Sequence, residues 1–251
     1  MTDWKFKVFT WVNRKFGYEI WNYKGEFPPD FEAESAKTIR NVARYTSGSA
    51  ERVHALIQAV EYIVQNKVPG DFVECGVWRG GSMMAMAETL LRLGQGDRQL
   101  YLYDTFSGMP QPGDKDVSFR DEAATVTWNK LKRKDFNQWC YAPVDEVREN
   151  MHRTGYNPAN VHLIQGLVEE TIPTKAPNDI ALLRLDTDWY ESVRHELIHL
   201  FPRLSRGGIL IVDDYGHWMG ARQATDEYFR ENRIPILLNR IDYTARIAVK
   251  Y

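Results

Sequence analysis

The sequence predicts an α/β fold of the Rossmann-like kind: a mostly parallel sheet with helices on both faces, closed by an antiparallel C-terminal hairpin. Three observations predict it. Apolar, strand-like runs alternate with stretches of helical periodicity from residue 50 onward. The first such strand, Asp71–Val77, enters the glycine turn Gly76-Val-Trp-Arg-Gly-Gly81 and then a helix, the strand–turn–helix entry of a nucleotide-type binding domain. Two later strands end in acidic pairs, at Asp186/Asp188 and Asp213/Asp214. With 251 residues and 43% hydrophobic residues, the chain can bury one substantial core, so one elaborated domain is expected rather than two.

Strands are expected at Asp71–Val77, Gln99–Thr105, Asn160–Gly166, Ile180–Asp186 and Gly207–Asp214, with two more near 235–241 and 245–250. Helices are expected at Ala50–Asn66, Gly81–Leu93, Val144–Thr154, Ser192–Leu204 and Gly220–Asn232. The last two strands have only a short connection at Asp242-Tyr243, which forces an antiparallel pairing. Two regions stand outside the alternation. Residues 1–45 hold 11 of the 32 aromatic residues, interleaved with lysine and arginine. Such a segment reads as a lid or an oligomer contact, with single-stranded nucleic acid or a membrane as the weaker alternatives. Residues 111–143, between the second strand and the next helix, read as a lid insertion in a domain spanning 46–251; a solvated loop is the plain alternative.

The details of the glycine turn argue against a dinucleotide. Trp78 stands where the fingerprint needs its second glycine, and Glu74 would set a carboxylate beside the phosphates. A cationic ligand without phosphates, S-adenosylmethionine (SAM), fits better, with Glu74 facing its amino group. In an open parallel sheet, ligands bind at the carboxyl ends of the strands, so Asp186, Asp213 and Asp214 converge on the same rim. Clustered carboxylates repel unless a cation joins them, and all-oxygen ligation suits Mg²⁺ or another hard divalent cation. Helix capping accounts for one such aspartate, not for two pairs.

The segments Glu74-Cys-Gly-Val-Trp-Arg-Gly-Gly-Ser82, Tyr103-Asp-Thr-Phe-Ser-Gly-Met-Pro110, Leu185-Asp-Thr-Asp-Trp-Tyr190 and Val212-Asp-Asp-Tyr-Gly216 resemble the TylF/MycF/NovP family, in family order and over nearly the whole chain from Arg44. The resemblance implies a class I SAM-dependent methyltransferase fold. It also implies metal-dependent O-methylation of sugar hydroxyls in natural products; a homo-oligomer is expected separately, from the aromatic N-terminal segment as a subunit contact.

Residue by residue, Gly76 lets the chain turn close to the ligand. Arg79, Gly80 and Ser82 belong to the turn whose helix amides would meet the methionine carboxylate. Asp104 would accept from the ribose hydroxyls, Phe106 would stack on adenine, and Gln165 and Gly166 would line the adenine pocket. Thr46 and Ser47 would touch the methionine end or cap a helix. Asp186 is expected as metal ligand and proton acceptor, Asp213 and Asp214 as the other ligands, and Asp188 as an alternative base. Catechol-type relatives carry a lysine shortly after the first metal aspartate; here Thr187-Asp-Trp-Tyr190 follows, which points to a carboxylate base.

The net charge of −2 gives no field for nucleic acid or an anionic membrane. The two cysteines make no disulfide framework, and no apolar run is long enough to span a bilayer, so a cytoplasmic protein is expected. His195-Glu-Leu-Ile-His199 spells the helical zinc-protease pattern, but its helix lies between the two acidic strands, which argues against that reading. The alternatives to a sugar O-methyltransferase are a catechol- or phenol-type methyltransferase and a non-catalytic SAM-binding module.

Overall fold

A computed structural model describes residues 27–251; most of the aromatic-rich N-terminal segment, and the role expected of it, lie outside the described residues. Seven strands form one sheet: β1 (Asp71–Cys75), β2 (Leu100–Asp104), β3 (Val161–Gln165), β4 (Ile180–Leu185), β5 (Leu204–Val212), β6 (Asn239–Arg240) and β7 (Arg246–Val249), in the order β3-β2-β1-β4-β5-β7-β6. The first five are parallel, and β7 pairs antiparallel with both β5 and β6. The expected hairpin is therefore present, with its second strand inserted beside β5.

Helices α1 (Ala33–Val42), α2 (Ala50–Gln65), α3 (Gly81–Arg92) and α5 (Val144–His152) cover one face. Helices α7 (Tyr190–Leu200) and α8 (Met219–Glu231) cover the other, together with the short α6 (Val168–Thr171). Helix α4 (Ala124–Leu131) lies in the insertion. Both faces of the sheet are buried, which is why its strands read as continuous apolar runs rather than alternating ones. Phe72, Leu100, Leu102 and Leu182 point into the first layer, and Val73, Tyr103, Leu183 and Leu210 into the second.

The differences from expectation have local causes. The helix expected to run to Leu204 stops at Leu200, because Pro202 falls in the next turn, and β5 then starts at Leu204. The strand expected over 235–241 shrinks to two residues, since Pro235 offers no amide and Leu237 projects into solvent. Among the described residues no helix is long and apolar enough to cross a membrane.

The chain crosses the sheet in opposite directions after β1 and β3, so β1 and β4 are neighbours whose connecting loops diverge. This is the switch point where open α/β sheets bind ligands. Here the two loops touch. Asp186 donates its amide to the Cys75 carbonyl at 2.8 Å. Gly76 has φ +79°, and a Cβ there would overlap the Asp186 carbonyl.

Candidate active site

A cleft enclosing about 800 Å³ of space, open to solvent, lies at the carboxyl ends of β1, β2, β3, β4 and β5. One end is built by the turns after β1 and β2. Asp104, closing β2, accepts from the amides of Val77 (2.8 Å) and Trp78 (3.0 Å) through Oδ2, and from Phe106 (2.7 Å) through Oδ1. Its carboxylate thus ties the two turns together while facing the cleft. Met109, Pro110 and Leu167 supply apolar wall. Trp78, Cys140 and Asp188, which all line the cleft, adopt left-handed backbone without being glycine (φ +45° to +68°), a strained set gathered around one cavity.

The other end is acidic and is organised by two arginines. Arg184 projects from β4, almost fully buried. Its Nη1 donates to Glu74 Oε1 (2.6 Å) and Asp186 Oδ2 (2.7 Å), and its Nη2 to Asp213 Oδ1 (2.6 Å). Arg52, in α2, engages the second oxygen of Asp213 and also pairs with Asp242 Oδ2 at 3.0 Å. Asp186, Asp188 and Asp214 each offer an oxygen, all within 4.8 Å of one another, the one such group of potential metal ligands among the described residues. Asp214 Oδ2 and Glu74 Oε2 are buried and meet no donor.

Burial dominates the electrostatics. It lifts Asp186 and Asp214 well above the ordinary carboxylate range, with neighbouring carboxylates adding to the effect. It pushes Asp188 up to about 7 against a hydrogen bond with Asp214, and Glu74 up to about 7 in spite of Arg184. Asp213 is the exception: burial would raise it, but Arg184 and Arg52 together hold it low and ionised.

Raised folded-state pKa values carry a sign. A group at about 7 in the fold and near 4.5 unfolded keeps its proton only in the fold between those values, so its stabilisation fades as pH rises through that window. The stability of the ligand-free wild type relative to Glu74→Gln is expected to decline from pH about 4.5 to 7 and level off above. The decline should be on the order of 1–3 kcal/mol in urea titrations at each pH. A flat difference would mean that Glu74 is ionised throughout.

Residues 25–249 match the family model described as macrocin O-methyltransferase (TylF). The chain belongs to this family. It is 34% identical over 200 residues to the 8-demethyl-8-(2,3-dimethoxy-alpha-L-rhamnosyl)-tetracenomycin-C 4'-O-methyltransferase of Streptomyces olivaceus, covering 80% of this chain and 73% of that one. The mycinamicin III 3''-O-methyltransferase of Micromonospora griseorubida is 32% identical, over 78% and 74% of the two chains. Among solved structures, the O-methyltransferase NovP aligns with a TM-score of 0.71 at 32% identity, over 84% of this chain and 87% of that one. The TylF-family protein is thus an O-methyltransferase with the class I methyltransferase fold, and the reading as a non-catalytic module falls.

Of the residues expected on the donor side of this TylF-family site, Ser47, Gly76, Asp104 and Gly166 line the cleft. Others are placed elsewhere. Phe106 is buried in the core packed on α2 and α3 rather than presented to a ligand. Arg79 pairs with Glu146 (2.6 Å) and the Arg44 carbonyl (2.9 Å), tying the turn to α5 and to the chain before α2. The Gly80 and Gly81 amides are used within the protein, by Val77 and Tyr45 carbonyls. Thr46 folds back to accept from the Gly48 amide (2.9 Å), and the cap of α2 is Ser49. Ser82 is buried beside Glu74. Gln165 is exposed and leans on the Thr105 carbonyl at 3.4 Å.

On the acidic side, Asp186, Asp188, Asp213 and Asp214 all reach the cleft. The tight trio of oxygens, however, contains Asp188 where Asp213 was expected, because the two arginines hold Asp213. Each Asp213 oxygen accepts one arginine N–H and retains a lone pair. His195 packs beside His199 with the rings tilted (centroids 4.4 Å) and faces the Ile172 carbonyl, and the zinc-protease reading finds no third ligand among the described residues. Sequence reasoning missed Arg52, Arg184 and Asp242. Arg184 was legible: a lone cation in an apolar strand, two residues before Asp186 and so on the same face. Arg52 carries no signal, since an arginine in the first turn of an amphipathic helix is ordinary.

Proposed function

We propose that this chain transfers the methyl group of SAM to a hydroxyl of a sugar or a glycosylated natural product, assisted by Mg²⁺ or another hard divalent cation. The observation that carries the reading is the convergence of Asp186, Asp188 and Asp214 at one end of a cleft whose other end is the glycine turn of a methyltransferase fold. An orphaned, buried Asp214 oxygen and mutually repelling carboxylates fit a cation. We assign it to Asp186 and Asp214, with Asp213 as the permanently ionised third ligand through its remaining lone pairs. When bound, such an ion supplies Lewis acidity toward a hydroxyl, which is otherwise a very weak acid.

The chain's own residues do the rest. Gly76, Asp104 and Gly166 shape the donor half, and Glu74 offers its unpartnered oxygen toward the amino group of SAM. Asp188, with a pKa of about 7, matches a general base at neutral pH. It takes the proton as the acceptor oxygen attacks the methyl carbon; the carbon–sulfur bond breaks and S-adenosylhomocysteine (SAH) leaves. Positioning the oxygen in line with that bond supplies much of the acceleration. The insertion at 111–143 reaches the cleft through Cys140, which supports a role for it as the lid over the acceptor. We further propose a cytoplasmic homo-oligomer with a small-molecule acceptor, without nucleic-acid or membrane partners.

Titration calorimetry should show binding of SAH and none of NAD, with Glu74→Ala and Asp104→Ala weakening SAH. Mass spectrometry of glycosides incubated with SAM should show a methyl gain that excess EDTA abolishes and Mg²⁺ restores. Full methylation in EDTA would leave carboxylate base catalysis without a metal.

A further inference from the structure

One acid lies beneath the acidic loop without belonging to the cleft. Glu196 sits in α7 with no exposed surface. Its Oε2 accepts from the Thr187 hydroxyl at 3.2 Å. Thr187 is the residue between Asp186 and Asp188, and Cys75, at the end of β1, is the other neighbour of the carboxyl. Burial outweighs the Thr187 hydrogen bond, and Glu169 adds to it, so the Glu196 carboxyl is held well above the ordinary carboxylate range. A buried position on the core face of a helix is ordinarily filled by an apolar side chain, because burying a polar group has a cost unless a specific bond offsets it.

The loop that Glu196 touches is strained. Asp188 holds φ +68°, and the turn is closed by the Trp189 amide donating to the Thr187 carbonyl at 2.8 Å. A non-glycine residue in that region costs about 1–3 kcal/mol and persists only where its surroundings over-determine it. At the front of the loop the Asp186 amide is fixed to Cys75. The Thr187 side chain is the point at which helix α7 grips the loop between its two acids.

We propose that Glu196 is a positioning residue, which through the Thr187 hydroxyl fixes the turn that aims Asp186 and Asp188 at one point. The inference rests on the metal assignment made under Proposed function. The histidine–glutamate–histidine pattern of α7 acquires a use from it: the glutamate serves the loop before the helix, and the histidines face elsewhere.

The test measures Mn²⁺ affinity by electron paramagnetic resonance and metal-free SAH affinity by calorimetry, in the full chain. Glu196→Gln preserves an acceptor for Thr187 and should bind Mn²⁺ as the wild type does. Glu196→Leu and Thr187→Val remove the bond from either side and should each weaken Mn²⁺ about 10-fold or more, the usual range for residues that orient ligands, with SAH affinity unchanged. If Glu196→Leu fails to fold, Thr187→Val decides alone. Wild-type Mn²⁺ affinity in both variants overturns the proposal. So does a parallel loss of Mn²⁺ and SAH affinity, which would mark general damage, or a Glu196→Gln variant as weak as the leucine one. A wild-type chain that binds no Mn²⁺ overturns the metal assignment itself and this inference with it, an outcome distinct from the others.

Discussion

Asp186→Asn is expected to lower kcat by about 100- to 1,000-fold, the scale on which loss of one preorganised charge at a reacting centre is felt. The amide oxygen can still accept from Arg184 Nη1, which Asp186 Oδ2 meets at 2.7 Å, so the fold of the loop is preserved. What is lost is one negative charge from the trio with Asp188 and Asp214, and the amide nitrogen presents a donor where a cation would sit. Asp214 keeps its main like-charged neighbours, Asp188 and Asp213, in the variant. Steady-state kinetics, Mn²⁺ affinity and SAH affinity measured on one preparation check the outcome: the first two fall together and the third holds. A variant with wild-type kcat would remove Asp186 from the chemistry.

Arg184→Met is expected to destabilise the ligand-free protein by about 3–5 kcal/mol, the range found when one partner of a buried ion pair is removed. Glu74, Asp186 and Asp213 would lose the guanidinium they share, at side-chain exposures of 1%, 26% and 4%. Two of the three cannot recover the loss from water. Urea unfolding gives the magnitude, and the double variant with Glu74→Gln gives the mechanism. If the cost comes from stranded charge, the double variant should be more stable than the sum of the single effects requires. Simple additivity would assign the loss to packing of the arginine stem instead. Mg²⁺ should raise the melting temperature of Arg184→Met more than that of the wild type, because the ion then replaces the positive charge the guanidinium supplied.

Legibility in the sequence followed how local each cause was. Strands β1, β2, β4 and β5 announce themselves as apolar runs because both faces of the sheet are covered, and the glycine turn after β1 is written in the letters. The acid pairs at Asp186 and Asp213 are legible because strand ends at a switch point define where a side chain must be. Helix α4 was not legible: Ala-Thr-Val-Thr-Trp-Asn-Lys-Leu is rich in β-branched residues, and its position is set by contacts such as Trp128 Nε1 donating to the Met109 carbonyl at 2.9 Å. Helix α1 was hidden inside a segment that reads first as aromatic. In the site, the sequence names the acids but not their partners. Which carboxylate an arginine claims depends on a pairing 161 residues apart, Arg52 with Asp213, and no pattern encodes that. Gly80, Phe106 and Arg79 also have contacts within the protein that no motif announces, because positions near a ligand are equally good places for packing and tethering.

Trp139, Trp189 and Trp218 come from the insertion, the acidic loop and the segment between β5 and α8, and their rings meet with centroids 5.1–5.9 Å apart. Indoles this close share their excited states, and their mutual angles of 57–74° make the arrangement optically chiral. The near-ultraviolet circular dichroism of this chain therefore carries a band owned by three loops at once. Any ligand that moves one of them against the others alters its colour without a label.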